Sequence, residues 1–269
     1  MNTSSIKEQA KDYFKKNRTQ FMIIFLIILL LQTIVKLFNI YNVFYGLNAI
    51  LTILFIPINH GLIVSALKIV HHQGDDINRK DAFIGIKRFK ELASTYIAYY
   101  LVTALCYIPI IIFLSYIMTK VYQIPQTNIL DIEYNLGIFF RNFLLNYPSY
   151  LIAFIFIYIL VLSINIILDG YLLAVPYLLE EKGTKGFHAI KQSIQIMKNH
   201  MKDYLQLFIS FLPYILVIEI IKLFFTFFNG LQFDVITFFI VSIIEILTYR
   251  PIFILSRTIF YKNIENNHL

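Results

Sequence analysis

FMIIFLIILLLQTIVKLF, residues 21–38, decides the fold of this chain. Only Gln32, Thr33 and Lys36 interrupt an otherwise apolar run. At about 1.5 Å of rise per residue, a helix of this length nearly matches the ~30 Å hydrocarbon core of a bilayer. A basic segment precedes it, as in a secretory signal. No alanine occurs between Ala10 and Ala49, however, so an Ala-x-Ala-like cleavage site is missing and the run reads as a retained anchor.

Five further runs of comparable length follow, near residues 43–69, 93–119, 149–178, 204–228 and 235–257, with the first covering about 20–40. The third and fourth exceed what a bilayer requires, which predicts tilting, extension into the interface, or bending near Pro109 and Pro176. The 269 residues are 58% hydrophobic and 14% charged, with a mean hydropathy of +0.69, more apolar surface than a soluble domain of this length buries. The reading is an all-α polytopic membrane helix bundle, one integral domain over 1–269, with about six transmembrane helices.

The net charge of +7 does not indicate nucleic acid, because the cations sit in short blocks between apolar runs rather than on one soluble surface. Most of the 23 Lys and Arg fall in the N-terminal segment 1–19, in loops 70–92 and 180–203 with their flanks, and at the C-terminal end, where Arg257 and Lys262 are counted. The intervening loops are nearly bare; the middle one holds Lys120 and Arg141. Retention of Lys and Arg on the cytoplasmic side then predicts a multi-pass bacterial plasma-membrane protein with both termini cytoplasmic.

Within those loops the apolar residues recur at helical spacing. Asn78 and Asp81 mark a helix start, after which Phe83, Ile86, Phe89 and Leu92 alternate with Lys87, Arg88 and Lys90. Phe187, Ile190, Ile194, Met197 and Met201 form a second stripe beside Lys191 and Lys198, and Ile6, Ala10, Tyr13 and Phe14 a third, behind a Ser5–Glu8 capping box. Basic amphipathic helices lie on an anionic leaflet, so membrane lipids are the first expected partner, with a membrane-protein partner or a second copy of the chain as others. The same stripes also suit packing on the protein's own helices. FIGIK (83–87) and FHAIK (187–191) share a pattern, and each follows a run containing a glycine, Gly61 or Gly170, which suggests a direct repeat of 43–119 in 149–228.

IKEQAKDYFKKN (6–17), FIGIKRF (83–89), PYLLEEKGTKGFHAIKQSIQIMKNH (176–200) and YRPIFILSRTIFYKN (249–263) resemble segments of an uncharacterised family of bacterial integral membrane proteins, related to the membrane domain of some glycerophosphodiester phosphodiesterases. The resemblance spans most of the chain. It implies a polytopic plasma-membrane protein and carries over no reaction; the soluble catalytic domain of the fused relatives has no counterpart in these residues.

Charges within the apolar runs are the sharpest candidates for function, since each costs a few kcal/mol in hydrocarbon unless paired or hydrated. Those that qualify best are Asp169, Glu219, Glu245 and Arg250, with Lys222 beside Glu219. Glu219 and Lys222 share a helix face at i, i+3, and Arg250, ahead of Pro251, can bridge to Asp169 or Glu245. Their roles are a proton or substrate relay, or structural ion pairs. HHQGDD (71–76) lacks the spacing of a helical metal site and reads as a solvated helix end, and buried His60 reads as an interhelical hydrogen-bonding residue. Glu180 and Glu181 ahead of Lys185 resemble the E-E-x-x-x-R signature of intramembrane CAAX-type proteases, but Lys replaces Arg and the further Phe and His spacing is absent. Neither a nucleotide-binding nor a nucleophile-elbow motif occurs, and the single Cys106 allows no disulfide or thiolate cluster within one chain. The sequence thus predicts a non-enzymatic protein without cofactor or metal, organising the membrane or binding a partner in envelope maintenance or protection against membrane-active peptides. The alternative is a small transporter or exporter subunit that uses the intramembrane charges, with an intramembrane enzyme a marginal third.

Overall fold

Proline places the helix breaks. In the computed structural model, which describes residues 2–41, 56–71, 77–121, 151–228 and 234–268, three helices carry proline as their second residue: Pro176, Pro213 and Pro251. The proline ring lacks an N–H and clashes with the carbonyl four residues earlier, so it begins a helix more readily than it continues one. Pro109 is the exception, lying inside an unbroken helix.

In chain order the described helices are α1 (Thr3–Tyr41), α2 (His60–Val70) behind a 3-10 turn at Ile56–Asn59, α3 (Ile84–Lys87) behind another at Arg79–Phe83, and α4 (Phe89–Val121). After residues 122–150, which lie outside the described set, come α5 (Leu151–Tyr171), α6 (Val175–Lys182), α7 (Gly186–Lys198), α8 (Met201–Ile209), α9 (Leu212–Phe228), α10 (Asp234–Thr248) and α11 (Arg250–His268). No strand occurs among the described residues, and the chain is the all-helical membrane-type bundle that its composition predicts.

Three stretches are long and apolar enough to cross a bilayer: Thr3–Leu37, Phe89–Pro109 and Ile159–Lys182. Two bent pairs, α8 with α9 at 61° and α10 with α11 at 58°, raise the count to five if each pair is one span. Residues 43–55 of the second predicted run lie outside the described residues, which retain its second half from Ile56. Leu105, Ile112, Ile220 and Leu247 are 62–66% exposed, which a soluble protein would avoid and hydrocarbon favours. Phe21, Phe25, Leu173, Tyr177, Tyr204 and Phe260 are buried in one continuous core, across which α1 packs on α11, while α4 packs on α7 in a smaller cluster around Ala98, Ala189 and Ile190.

Backbone groups released at a break need partners where water is scarce. Ser193, fully buried on α7, supplies two at the 172–174 turn: its hydroxyl donates to Tyr171 O (2.7 Å) and accepts from Ala174 N–H (3.2 Å). At the α8–α9 break Lys7 Nζ donates to Ser210 O (2.7 Å) and lies over the Phe211 ring. Within α1, Asn17 leaves helical geometry (φ −110°, ψ 15°) and its side-chain amide donates to Tyr13 O (3.1 Å), setting the basic N-terminal segment apart from the span. The helix start differs from the predicted capping box: Asn2 Oδ1 accepts from Ser4 N–H (3.1 Å), one turn ahead of Ser5.

The amphipathic loops also divide differently from their sequence pattern. Asn78 and Asp81 form the expected capping box, with Asp81 accepting from Asn78 N–H (3.0 Å) and Asn78 from Lys80 N–H (3.1 Å). Beyond that cap the chain does not form one continuous helix. A 3-10 turn, a single turn of α-helix and then the start of α4 replace it: the backbone leaves helical geometry at Phe83 (φ −97°, ψ 1°) and Arg88 (φ −100°, ψ 22°), and between them Gly85 is pressed against Pro57, where a Cβ would come within 2.0 Å of the carbonyl oxygen. Phe83 and Ile86 remain exposed, Phe89 and Leu92 join α4, and Leu92 is buried. On α7 the predicted stripe is corrected for two members. Ile190 and Met197 are buried inside the bundle, because the packed face is centred on Ala189, Ile190, Ser193 and Met197. Phe187 and Ile194 stay exposed, and Met201 lies in α8, partly buried. The N-terminal stripe turns inward, with Ile6 and Ala10 buried and Tyr13 and Phe14 packed on the core.

Ser193→Ala removes both partners of the 172–174 turn at once and should lower stability by about 1–3 kcal/mol, read as a reduced melting temperature in neutral detergent. Gln195→Ala, on the exposed side of the same helix, should leave it nearly unchanged.

Candidate functional site

A cavity of about 420 Å³ opens where the broken helices meet. Its wall includes Asn59 at the entry to α2, Leu172, Leu173 and Pro176 at the α5–α6 turn, and Tyr249 and Arg250 at the α10–α11 break. From the start of α4 at Phe89 to its cavity residues Tyr96, Tyr99 and Tyr100 is seven to eleven positions, or roughly 10–16 Å along the axis. Irregular backbone inside an apolar bundle belongs where it is enclosed by protein or lines a wet cavity.

Three charges singled out in the sequence, Asp169, Glu245 and Arg250, line this cavity, joined by Arg257. The charge count places Arg257 at the C-terminal basic end and leaves its partner unassigned. Arg257 donates to Asp169 Oδ1 (2.8 Å), while the Tyr204 hydroxyl donates to Asp169 Oδ2. Arg250 and Arg257 stand at i, i+7 on α11, two turns apart on one face, with Phe253 and Ile254 between them in the wall. That spacing was legible in RPIFILSR; a count of surface cations obscures it.

The second pair extends into a chain. Arg250 NH1 donates to Glu245 Oε2 (3.2 Å), Lys222 Nζ lies 3.0 Å from Glu245 Oε1, and Lys222 also donates to Glu219 Oε1 (2.9 Å). The i, i+3 pair on α9 is thus tied to α10 and α11 by the same lysine. Each group has an opposite charge within reach, the condition under which ions persist in a low-dielectric bundle. Of the two partners open to Arg250, Glu245 takes it and Arg257 takes Asp169.

Toward the basic end, the cavity wall continues into a second network that sequence reading saw only in pieces. His60, with no exposed surface, hydrogen-bonds Tyr96 OH through Nδ1 and Glu180 Oε2 through Nε2, both at 2.9 Å. Arg88 NH1 forks onto both Glu180 oxygens (3.0 and 2.8 Å), and its Nε donates to Glu91 (2.9 Å). Arg88 therefore ties α4 to α6 rather than facing a leaflet alone. Neighbouring Glu181 accepts from Lys262 (2.9 Å) and meets His71 Nε2 (2.9 Å). The two glutamates of the protease-like dipeptide are thus drawn apart into separate ion pairs, with Lys185 at the cap of α7. Among the described residues no three His, Cys, Asp or Glu side chains converge as a metal site requires. Of HHQGDD only His71 is described. On α7, Phe187, Lys191, Ile194 and Lys198 share one exposed face, and Lys87 beside Ile86 is likewise exposed.

Arg257→Gln should destabilise the protein by leaving the Asp169 carboxylate without its cation, and adding Asp169→Asn should recover part of the loss. A double-mutant cycle on melting in neutral detergent should give a coupling of about 1–3 kcal/mol, and zero coupling would place the two groups apart.

No curated protein and no solved structure matches the chain. The profile of the family described as "Protein of unknown function (DUF975)" matches residues 1–268, and the chain belongs to that family.

Proposed function

We propose that this is a multi-pass plasma-membrane protein, cytoplasmic at both termini, that binds and moves a small polar or amphipathic solute as a transporter or exporter component, without catalysis. One observation carries the reading: the breaks before α6 and α11 lie on the wall of one cavity that is walled also by Asp169, Glu245, Arg250 and Arg257. Discontinuous helices around polar groups form solute sites in many transport folds. The volume of about 420 Å³ lies within the range of small-molecule pockets.

A second reading, membrane organisation in envelope maintenance or protection against membrane-active peptides, is favoured by the exposed face of α7. There Phe187 (61% exposed) and Ile194 (39% exposed) sit among Lys191 and Lys198, the composition of a helix resting on an anionic leaflet. The kinship with the phosphodiesterase membrane domain belongs to this proposal too, and rests on the shared motifs.

In a strain lacking the protein, challenged with membrane-active peptides and envelope stresses, wild type should restore growth. Ile63→Trp, which fills the cavity, should fail to do so at matched membrane abundance. Full rescue by Ile63→Trp together with failure of a Phe187→Ala, Lys191→Gln, Lys198→Gln triple variant would reject the transport reading in favour of the surface one.

A further inference from the structure

Among the charged groups of the cavity wall, the two guanidiniums keep the largest share of their hydrogen-bonding capacity open. Both oxygens of Asp169 are engaged, by Arg257 and Tyr204, and both of Glu245, by Lys222 and Arg250. A guanidinium carries five N–H donors. Among the described residues, Arg250 and Arg257 each commit one of them, to Glu245 and Asp169 respectively. The wall therefore presents two cationic forks with most donors unspent, beside carboxylates each of whose oxygens already has a partner, and a partly buried guanidinium in an apolar bundle demands acceptors. Arg257 is further oriented by the Phe253 ring, 5.5 Å from its central carbon. Phe253 and Ile254 leave an apolar strip between the forks.

We infer that the cavity is an oxyanion site: Arg250 and Arg257 take the phosphate or carboxylate group of a solute whose apolar portion lies along Phe253 and Ile254. Planar forks suit such groups, which accept two parallel N–H bonds from one guanidinium. The paired carboxylates hold the arginines in place and keep the wall electrically balanced, so the ligand is bound through directed donors rather than through a net positive field. The inference rests on the cavity being a solute site, and it adds the chemical class of the solute.

The test is equilibrium binding to the full chain in dodecyl maltoside, with four probes: inorganic phosphate, dodecyl phosphate, laurate and dodecyltrimethylammonium. Saturable binding of an anionic probe is expected, weakened at least about tenfold by Arg250→Gln and by Arg257→Gln, the scale of one charge-assisted hydrogen bond. Lys191→Gln with Lys198→Gln, on the outer face, should leave it unchanged. Binding of inorganic phosphate points to a free anion, and binding confined to the dodecyl probes points to a lipid-like headgroup. Because Arg257→Gln strands Asp169, the paired Asp169→Asn, Arg257→Gln variant keeps the charge balanced and should bind equally poorly; anion binding at wild-type strength in that folded variant and in Arg250→Gln overturns the assignment. Saturable binding of the trimethylammonium probe alone overturns it too, while leaving the cavity as a solute site. Absence of saturable binding by any probe, with full rescue by Ile63→Trp, overturns both.

Discussion

Hydrocarbon tolerates neither a lone charge nor a lone backbone carbonyl, and that constraint organises this protein. Asp169 on α5 and Arg257 on α11 satisfy it for each other at 2.8 Å, with Tyr204 of α8 closing the other carboxylate oxygen. One contact thus fixes three helices that are far apart in sequence. Around it, the Glu219–Lys222–Glu245–Arg250 chain applies the same rule to α9, α10 and α11.

The helix breaks arise from the same constraint. Proline at the second position of α6, α9 and α11 forces a restart, and the carbonyls so released are met by Ser193 and Lys7 from other parts of the chain. Broken helices in turn leave room. The cavity lies where the α5–α6 turn meets the α10–α11 bend. Proline spacing, ion pairing and the cavity are therefore one design, with backbone geometry making the space and paired charges lining it.

The apolar runs made the membrane bundle legible, because length and hydropathy are local properties of the sequence. The charges within the apolar runs were legible for the same reason, and so was the Asn78–Asp81 cap, whose partners lie within three residues. Long-range pairing was not. Asp169 and Arg257 are 88 positions apart, and Arg257 resembles any other cation near a basic terminus. The amphipathic stripes misled in part because periodicity identifies a face and not its neighbour: Ile190 and Met197 meet other helices, while Phe187 and Ile194, on the same stripe, do not. His60 was recognised as a hydrogen-bonding residue, but Glu180 and Tyr96 could not be assigned to it from spacing.

A thiol is the most direct probe of whether water reaches the polar cavity inside the apolar bundle. Ile63 lines the cavity, whereas native Cys106 is exposed among apolar neighbours that face hydrocarbon. Ile63→Cys in native membranes should react with a charged, water-soluble thiol reagent from the basic side, at least about tenfold faster than Cys106, because the thiolate forms only where water reaches. Equal, slow reaction at both positions would mean that the cavity is closed and dry, and the account of a solute site built on broken helices would be wrong.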